Sequence, residues 1–186
     1  KCFKIPISWF KGEDSKIFYK FCITFIKKGV VVRLFLAIPA SFKLKEQIEN
    51  FLKEKPFKAN WVKKENLHIT LKFLGEVEEK KAKYLEENIN DILIPLKYKE
   101  FPFEFASSFP NEKKPRVLFL KFKEDQEILN YQKDLEDIFE REGFKKEERE
   151  FKIHLTIARF KYPPDNLKFK KFLEEASKVD FSPFCV

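Results

Sequence analysis

At 186 residues, 44% of them apolar and 37% charged, the chain can bury a core and is too hydrophobic to stay disordered. Lys and Arg number 38 against 30 Asp and Glu, a formal charge of +8 that favours anionic partners such as RNA ends, nucleotides or a membrane surface. The three cysteines (Cys2, Cys22, Cys185) lack CxxC spacing, which argues against a disulfide framework or a thiolate metal centre. No apolar run reaches the roughly 18 residues that span a bilayer, and the best candidate, residues 17–26, is interrupted by Lys20. No membrane association is expected, and a reducing cytoplasm is the default location.

Residues 1–31 mix aromatics and lysines without sustained period, and nothing in them resembles a small-residue signal cleavage site. They read as an atypical N-terminal extension outside the domain, which is expected to occupy residues 32–186. Residues 33–38 (RLFLAI) form a compact apolar strand ended by Pro39. Ser41 then caps a helix to about residue 55, with Leu44, Ile48, Phe51 and Leu52 as its apolar stripe. A short strand at Trp61 and Val62 leads into residues 67–74, ended by Gly75. A charged helix is expected over 78–91, and residues 101–105 alternate around Pro102 as an edge or irregular strand.

The second half repeats the first. Residues 116–120 (RVLFL) match the strand at Arg33, a helix is expected over 125–141 before Gly143, a strand over 151–160, and a helix over 166–177. The predicted class is α+β. Two pseudo-symmetric lobes are expected, each an antiparallel sheet with helices packed outside. The final residues (FSPFCV) read as a strand just beginning, which implies that a last strand follows.

The chain has only two histidines and three threonines, and each histidine is followed two positions later by a threonine: His68 and Thr70, His154 and Thr156. Residues i and i+2 of a strand share one face, so each segment presents an imidazole beside a hydroxyl with its aliphatic residues opposite. By strict alternation Lys72 shares the face of His68, Ala158 that of His154, and Arg159 the opposite one. Histidine titrates near pH 6.5, so such a pair can hold one neutral and one protonated member. Phosphodiester cleavage needs both, a base for the attacking water and an acid for the departing oxygen, each contributing about 10²–10⁴-fold. The hydroxyls can hold the non-bridging phosphate oxygens. Two histidines without neighbouring carboxylates or cysteines make a poor zinc site, so no metal is expected.

These segments, WVKKENLHITLKFLG over 61–75 and HLTIAR over 154–159, resemble the two-histidine phosphoesterases, and within them the RNA 2′,3′-cyclic phosphodiesterases, also called 2′-5′ RNA ligase-like proteins. The resemblance runs over residues 32–186 and implies a domain that starts at the Arg33 strand and continues beyond Val186 into a closing strand. It implies hydrolysis of RNA 2′,3′-cyclic phosphate ends to 2′-phosphomonoesters by a monomer without cofactor. The implied roles are general acid for His68, general base for His154, and phosphate binding for Thr70 and Thr156. Arg159 is implied to contact phosphate, which requires a bulge to reorient it. Arg116 resembles an arginine bordering the family's cleft. Lys72 could steer phosphate, though a solvated lysine is commoner; Trp61 and Phe119 could stack on a base, with core packing the better reading. The alternatives are a phosphodiesterase or ligase acting on 2′-5′ linked RNA or small cyclic nucleotides, and a module that binds RNA ends without turnover.

Overall fold

The computed structural model describes residues 9–11, 18–25, 31–94, 96 and 98–186. Cys2, Ile17 and Ile26, which bear on the cysteine and membrane readings above, lie outside the described residues.

The apolar run at Arg33 becomes β3 (Val31–Pro39), and its antiparallel partner β5 (His68–Glu78) carries the first motif. Between them lie α1 (Phe42–Phe51), β4 (Asn60–Trp61) and a single 3₁₀ turn. Ser41 caps α1, its hydroxyl accepting from the Leu44 amide at 3.3 Å, as the sequence predicts. The helix stops at Phe51 rather than near residue 55, although Leu52 stays in the core as its C-cap. After β5 come α2 (Glu79–Ile92), β6 (Glu100–Phe101), β7 (Phe103–Phe109) and β8 (Val117–Phe122). Then α3 (Gln126–Arg141), β9 (His154–Arg159), α4 (Asn166–Ser177) and β10 (Phe184–Cys185) complete the chain. Asp125 and Asp165 cap α3 and α4 through their carboxylates. The strand anticipated over residues 181–186 forms at Phe184–Cys185, where it pairs with β6.

One antiparallel sheet runs through both halves in the order β3–β5–β9–β8–β7, with β3–β5 in one lobe and β9–β8–β7 in the other, and β6 with β10 forms a separate pair, in keeping with the α+β, two-lobed plan. The lobes join at one bridge between the motif strands, Ile69 to Leu155, while β4 pairs with the far end of β9. The helices are exchanged between the halves of the sequence. Helices α2 and α3 both pack on the β3–β5 sheet, and Lys81 of α2 pairs with Glu142 just after α3 at 2.7 Å. Helix α1 lies instead against α4, where Phe51 meets Phe172 at 5.3 Å, and α4 packs on β7. The first helix of the second half, α3, therefore covers strands of the first half, and α1 of the first half packs against α4 of the second.

Two strands from the N-terminal segment, β1 (Trp9–Lys11) and β2 (Phe18–Phe25), extend the first sheet beyond β3.

Gly75 does not end the motif strand as expected. It sits inside β5 with φ of +79°, in a conformation that L side chains avoid, where the β3–β5 register slips near Leu34. A Gly75→Ala substitution is expected to destabilise the fold by about 1–2 kcal/mol, read as a lower midpoint in urea.

Candidate active site

The alternation read from the sequence holds at the histidines and breaks two residues later, in both motifs. In β5, Thr70 pairs with Ala37 while Lys72 pairs with the adjacent Leu36, so Leu71 is an extra residue. In β9, Thr156 pairs with Phe119 while Ala158 pairs with the adjacent Leu118, so Ile157 is the extra residue. Each is a β-bulge that inverts the parity of the residues after it, in β5 as far as the second slip before Gly75.

The inversion re-sorts four side chains. Arg159, of opposite parity in a regular strand, turns onto the face of His154 and Thr156 and is exposed there. Ala158 turns inward and is fully buried, against the alternation expected from sequence. In the first motif Phe73 occupies the place of Arg159: it pairs across from Phe35, whose ring stacks on His68 at 5.1 Å, and is 54% exposed. Lys72 is neither solvated nor available to phosphate. It is 2% exposed on the core side, paired with Glu136 of α3 and donating to the Lys145 carbonyl at 2.6 Å.

The single bridge between Ile69 and Leu155 sets the four motif side chains. Both bridging residues are buried, so their neighbours face the other way. Continuing the antiparallel register by one residue each way puts His68 beside Thr156 and Thr70 beside His154. Each histidine thus sits next to the other motif's threonine, and all four share one face in a near-twofold arrangement.

Both imidazoles are oriented alike. The His68 Nδ1 lies 2.6 Å from the Asn66 carbonyl oxygen, and the His154 Nδ1 lies 2.8 Å from that of Lys152. A carbonyl oxygen only accepts, so each Nδ1 carries its proton and Nε2 is the nitrogen that gains or loses one. The surroundings then differ. Phe109 and Phe119 approach the His154 ring edge-on at 5.2 and 5.6 Å. Burial holds His154 below the ordinary imidazole range, the Lys152 carbonyl opposes this, and the charges of Arg159 and Lys121 push it further down. Lys121 is the cross-strand neighbour of His154 and is itself buried, in contact with Glu104 and Glu124.

Arg116 lies at the mouth of β8, where its guanidinium donates to the Lys161 carbonyl at 2.9 Å and remains exposed. Trp61 stacks on Phe57 at 5.3 Å within an aromatic cluster that includes Phe172, and Phe119 is 5% exposed against Phe109, so both are packing residues. Sequence reasoning missed Phe35 and Phe73 as cleft residues. The signal lay in the repeat, because aligning the two motifs sets Phe73 against Arg159. Among the described residues no group of three or more His, Cys, Asp or Glu could hold a metal ion, and no helix is long and apolar enough to cross a membrane.

Comparison with known proteins agrees with this geometry. The model of the LigT-like phosphoesterase family matches the chain twice, over residues 38–119 and 120–186, once for each repeat. A Methanocaldococcus jannaschii protein named RNA 2′,3′-cyclic phosphodiesterase is 39% identical over 157 residues, covering 82% of this chain and 86% of its own. A Thermotoga maritima protein of the same name is 33% identical, covering 82% and 80%. The crystal structure of E. coli LigT complexed with 3′-AMP superposes with a TM-score of 0.56 at 28% identity, over 71% of this chain and 78% of that one. With two matched repeats, paired motifs and a shared fold, the chain belongs to the LigT-like phosphoesterase family.

Proposed function

We propose that the protein hydrolyses RNA 2′,3′-cyclic phosphate ends to 2′-phosphomonoesters by acid–base catalysis between His68 and His154. The observation that carries this reading is the matched pair of Nδ1-to-carbonyl contacts, which makes Nε2 the reacting nitrogen of both rings on one face. His154, held toward its neutral form, takes a proton from the attacking water as oxygen bonds to phosphorus. His68 gives a proton to the departing 3′ oxygen, leaving a 2′-phosphate and a free 3′ hydroxyl. Thr70, Thr156 and Arg159 hold the non-bridging oxygens, whose charge must be borne through the transition state. Arg116 borders the cleft. Phe73 offers an apolar face on which a base can stack. Two imidazoles supply both proton transfers, so the scheme needs no metal or cofactor. A cytoplasmic monomer acting on RNA ends is part of the same reading.

Incubation with an oligoribonucleotide ending in a 2′,3′-cyclic phosphate, followed by ³¹P NMR, tests it. The expected product is the 2′-phosphomonoester; a 3′-phosphate would reverse the regiochemistry, and no turnover would end the proposal. On the acid side, kcat/KM is expected to fall with a midpoint below about 6.5 as His154 becomes protonated. Phe109→Ala, which opens the ring to water, should move that midpoint back up toward the ordinary value.

We also propose that residues 32–186 form the catalytic unit and that residues 1–31 are an appendage to it. Support comes from β5, which holds β3 from its other side, and from a family match that begins at residue 38. A chain starting at residue 31 is expected to keep its turnover on the cyclic substrate; loss of turnover with the fold intact would assign the segment a catalytic part.

A further inference from the structure

The two repeats differ at the residue that faces each imidazole from the neighbouring strand. In the first, His68 pairs across with Pro39 of β3. In the second, His154 pairs across with Lys121 of β8. Residues directly opposite in an antiparallel pair share a face and hold their Cβ atoms about 4.5–5.5 Å apart. An uncharged ring therefore faces one histidine, and a lysine faces the other.

Lys121 is not a loose surface cation. It is 8% exposed, and its ammonium donates to the Phe122 carbonyl at 2.9 Å while pairing with Glu124 and, at 3.7 Å, with Glu104 of β7. These partners surround a group with three protons to give, so it is held in place rather than free to follow a phosphate. Burial pulls the ammonium below the ordinary lysine range, Glu104 and Glu150 oppose this, and Lys152 adds to it. The other charged group that acts on His154 is Arg159, farther along the same strand. From β5, the register continued from the Ile69–Leu155 bridge brings Thr70 beside the ring, with His68 as the titratable group of that strand on the same face. Phe109 of β7 and Phe119 of β8 pack on the ring without charge.

We propose that Lys121 is a positioning residue of the two-histidine site, whose fixed positive charge beside His154 reserves that ring for taking a proton, an inference that rests on the function proposed above. A buried charge is little screened by water, so a neighbouring imidazolium is penalised and the neutral ring favoured. The Nε2 lone pair of that neutral ring is what accepts the proton of the attacking water. Pro39 places no such charge against His68. Glu104 and Glu124 serve the same end indirectly, because they keep the lysine charged and pointed to one place despite its burial.

With only two histidines in the chain, ¹H–¹⁵N NMR titration of the imidazoles is direct, and His154→Ala assigns the signals. Lys121→Met should raise the His154 midpoint by about half a pH unit, roughly a threefold gain in proton affinity, and move His68 less. Lys121→Arg keeps the charge and should titrate closer to the wild type than the Met variant does. Glu124→Gln removes a carboxylate and leaves the lysine, so the His154 midpoint should fall. A merely structural role predicts the opposite for that last variant, because loosened packing admits water and lifts the ring toward its ordinary value. The acid limb of kcat/KM should move with the ring in each variant. A His154 midpoint that stays or falls in Lys121→Met, or stays or rises in Glu124→Gln, overturns the proposal, as does an acid limb that ignores the ring. If Lys121→Met does not fold, Glu124→Gln decides alone. If the wild-type protein opens no cyclic phosphate, the acid–base reading fails by itself, and the titrations still decide whether Lys121 governs His154.

Discussion

His68→Ala and His154→Ala are each expected to lower kcat on a cyclic-ended RNA by about 10²–10⁴-fold while the protein stays folded. In the proposed scheme each ring supplies one of two proton transfers, and no third imidazole can take over either, since the chain has only these two histidines. The Nδ1 contact of each ring is local, meeting a carbonyl two residues back on its own chain. The double variant should be scarcely slower than the worse single one, because groups acting as a unit fail together. The two losses should also separate by pH. Without His154 the acid limb assigned to the base disappears, whereas without His68 it remains. Wild-type turnover in either single variant would remove the histidines from the chemistry.

Lys72→Met is expected to destabilise the fold by roughly 3–5 kcal/mol, read from urea unfolding. Lys72 projects from the bulge in β5 into the interface with α3, where it pairs with Glu136 and donates to the Lys145 carbonyl. The Glu136 carboxylate also accepts from Gln132 Nε2 at 2.7 Å and from the Glu147 amide at 2.9 Å. Removing the ammonium leaves a carboxylate buried without its counter-charge, which costs far more than the pair contributes. Lys72→Met combined with Glu136→Leu should therefore recover much of the loss, and a double that is no better than the single would contradict this account. The same network ties the first motif strand to a helix of the other repeat, so loosening it should also reduce turnover through misplacement of Thr70.

Much of this was legible in the residues. Ser41, Asp125 and Asp165 stand before apolar periodic runs, and each caps the helix that follows. The span of α4 and the pairing of imidazole with hydroxyl depend on local period, which the chain carries in plain form. Four readings depended on contacts distant in sequence. Gly75 looks like a strand terminator because glycine commonly ends one, but here it accommodates a register slip against Leu34. Lys72 and Ala158 read as cleft residues under strict alternation, and both are buried because one extra residue precedes each. Arg159 reached the cleft for the same reason. The bulges lie where β5 and β9 keep hydrogen bonds with β3 and β8 at mismatched spacing, and no local propensity announces that.

By itself the sequence determined the two motifs, their duplicated surroundings, the helix caps and the alternation that seats an imidazole beside a hydroxyl, because each depends on neighbours within a turn or two of chain. Only the tertiary structure decided how the two motifs meet. The Ile69–Leu155 bridge puts each histidine beside the other repeat's threonine, α3 of the second half covers a strand of the first, and burial beside Phe109 and Phe119 makes one imidazole less basic than an exposed one. A duplicated sequence is symmetric in pattern. The burial and nearby charge that hold His154 toward its neutral form exist only once distant strands have packed.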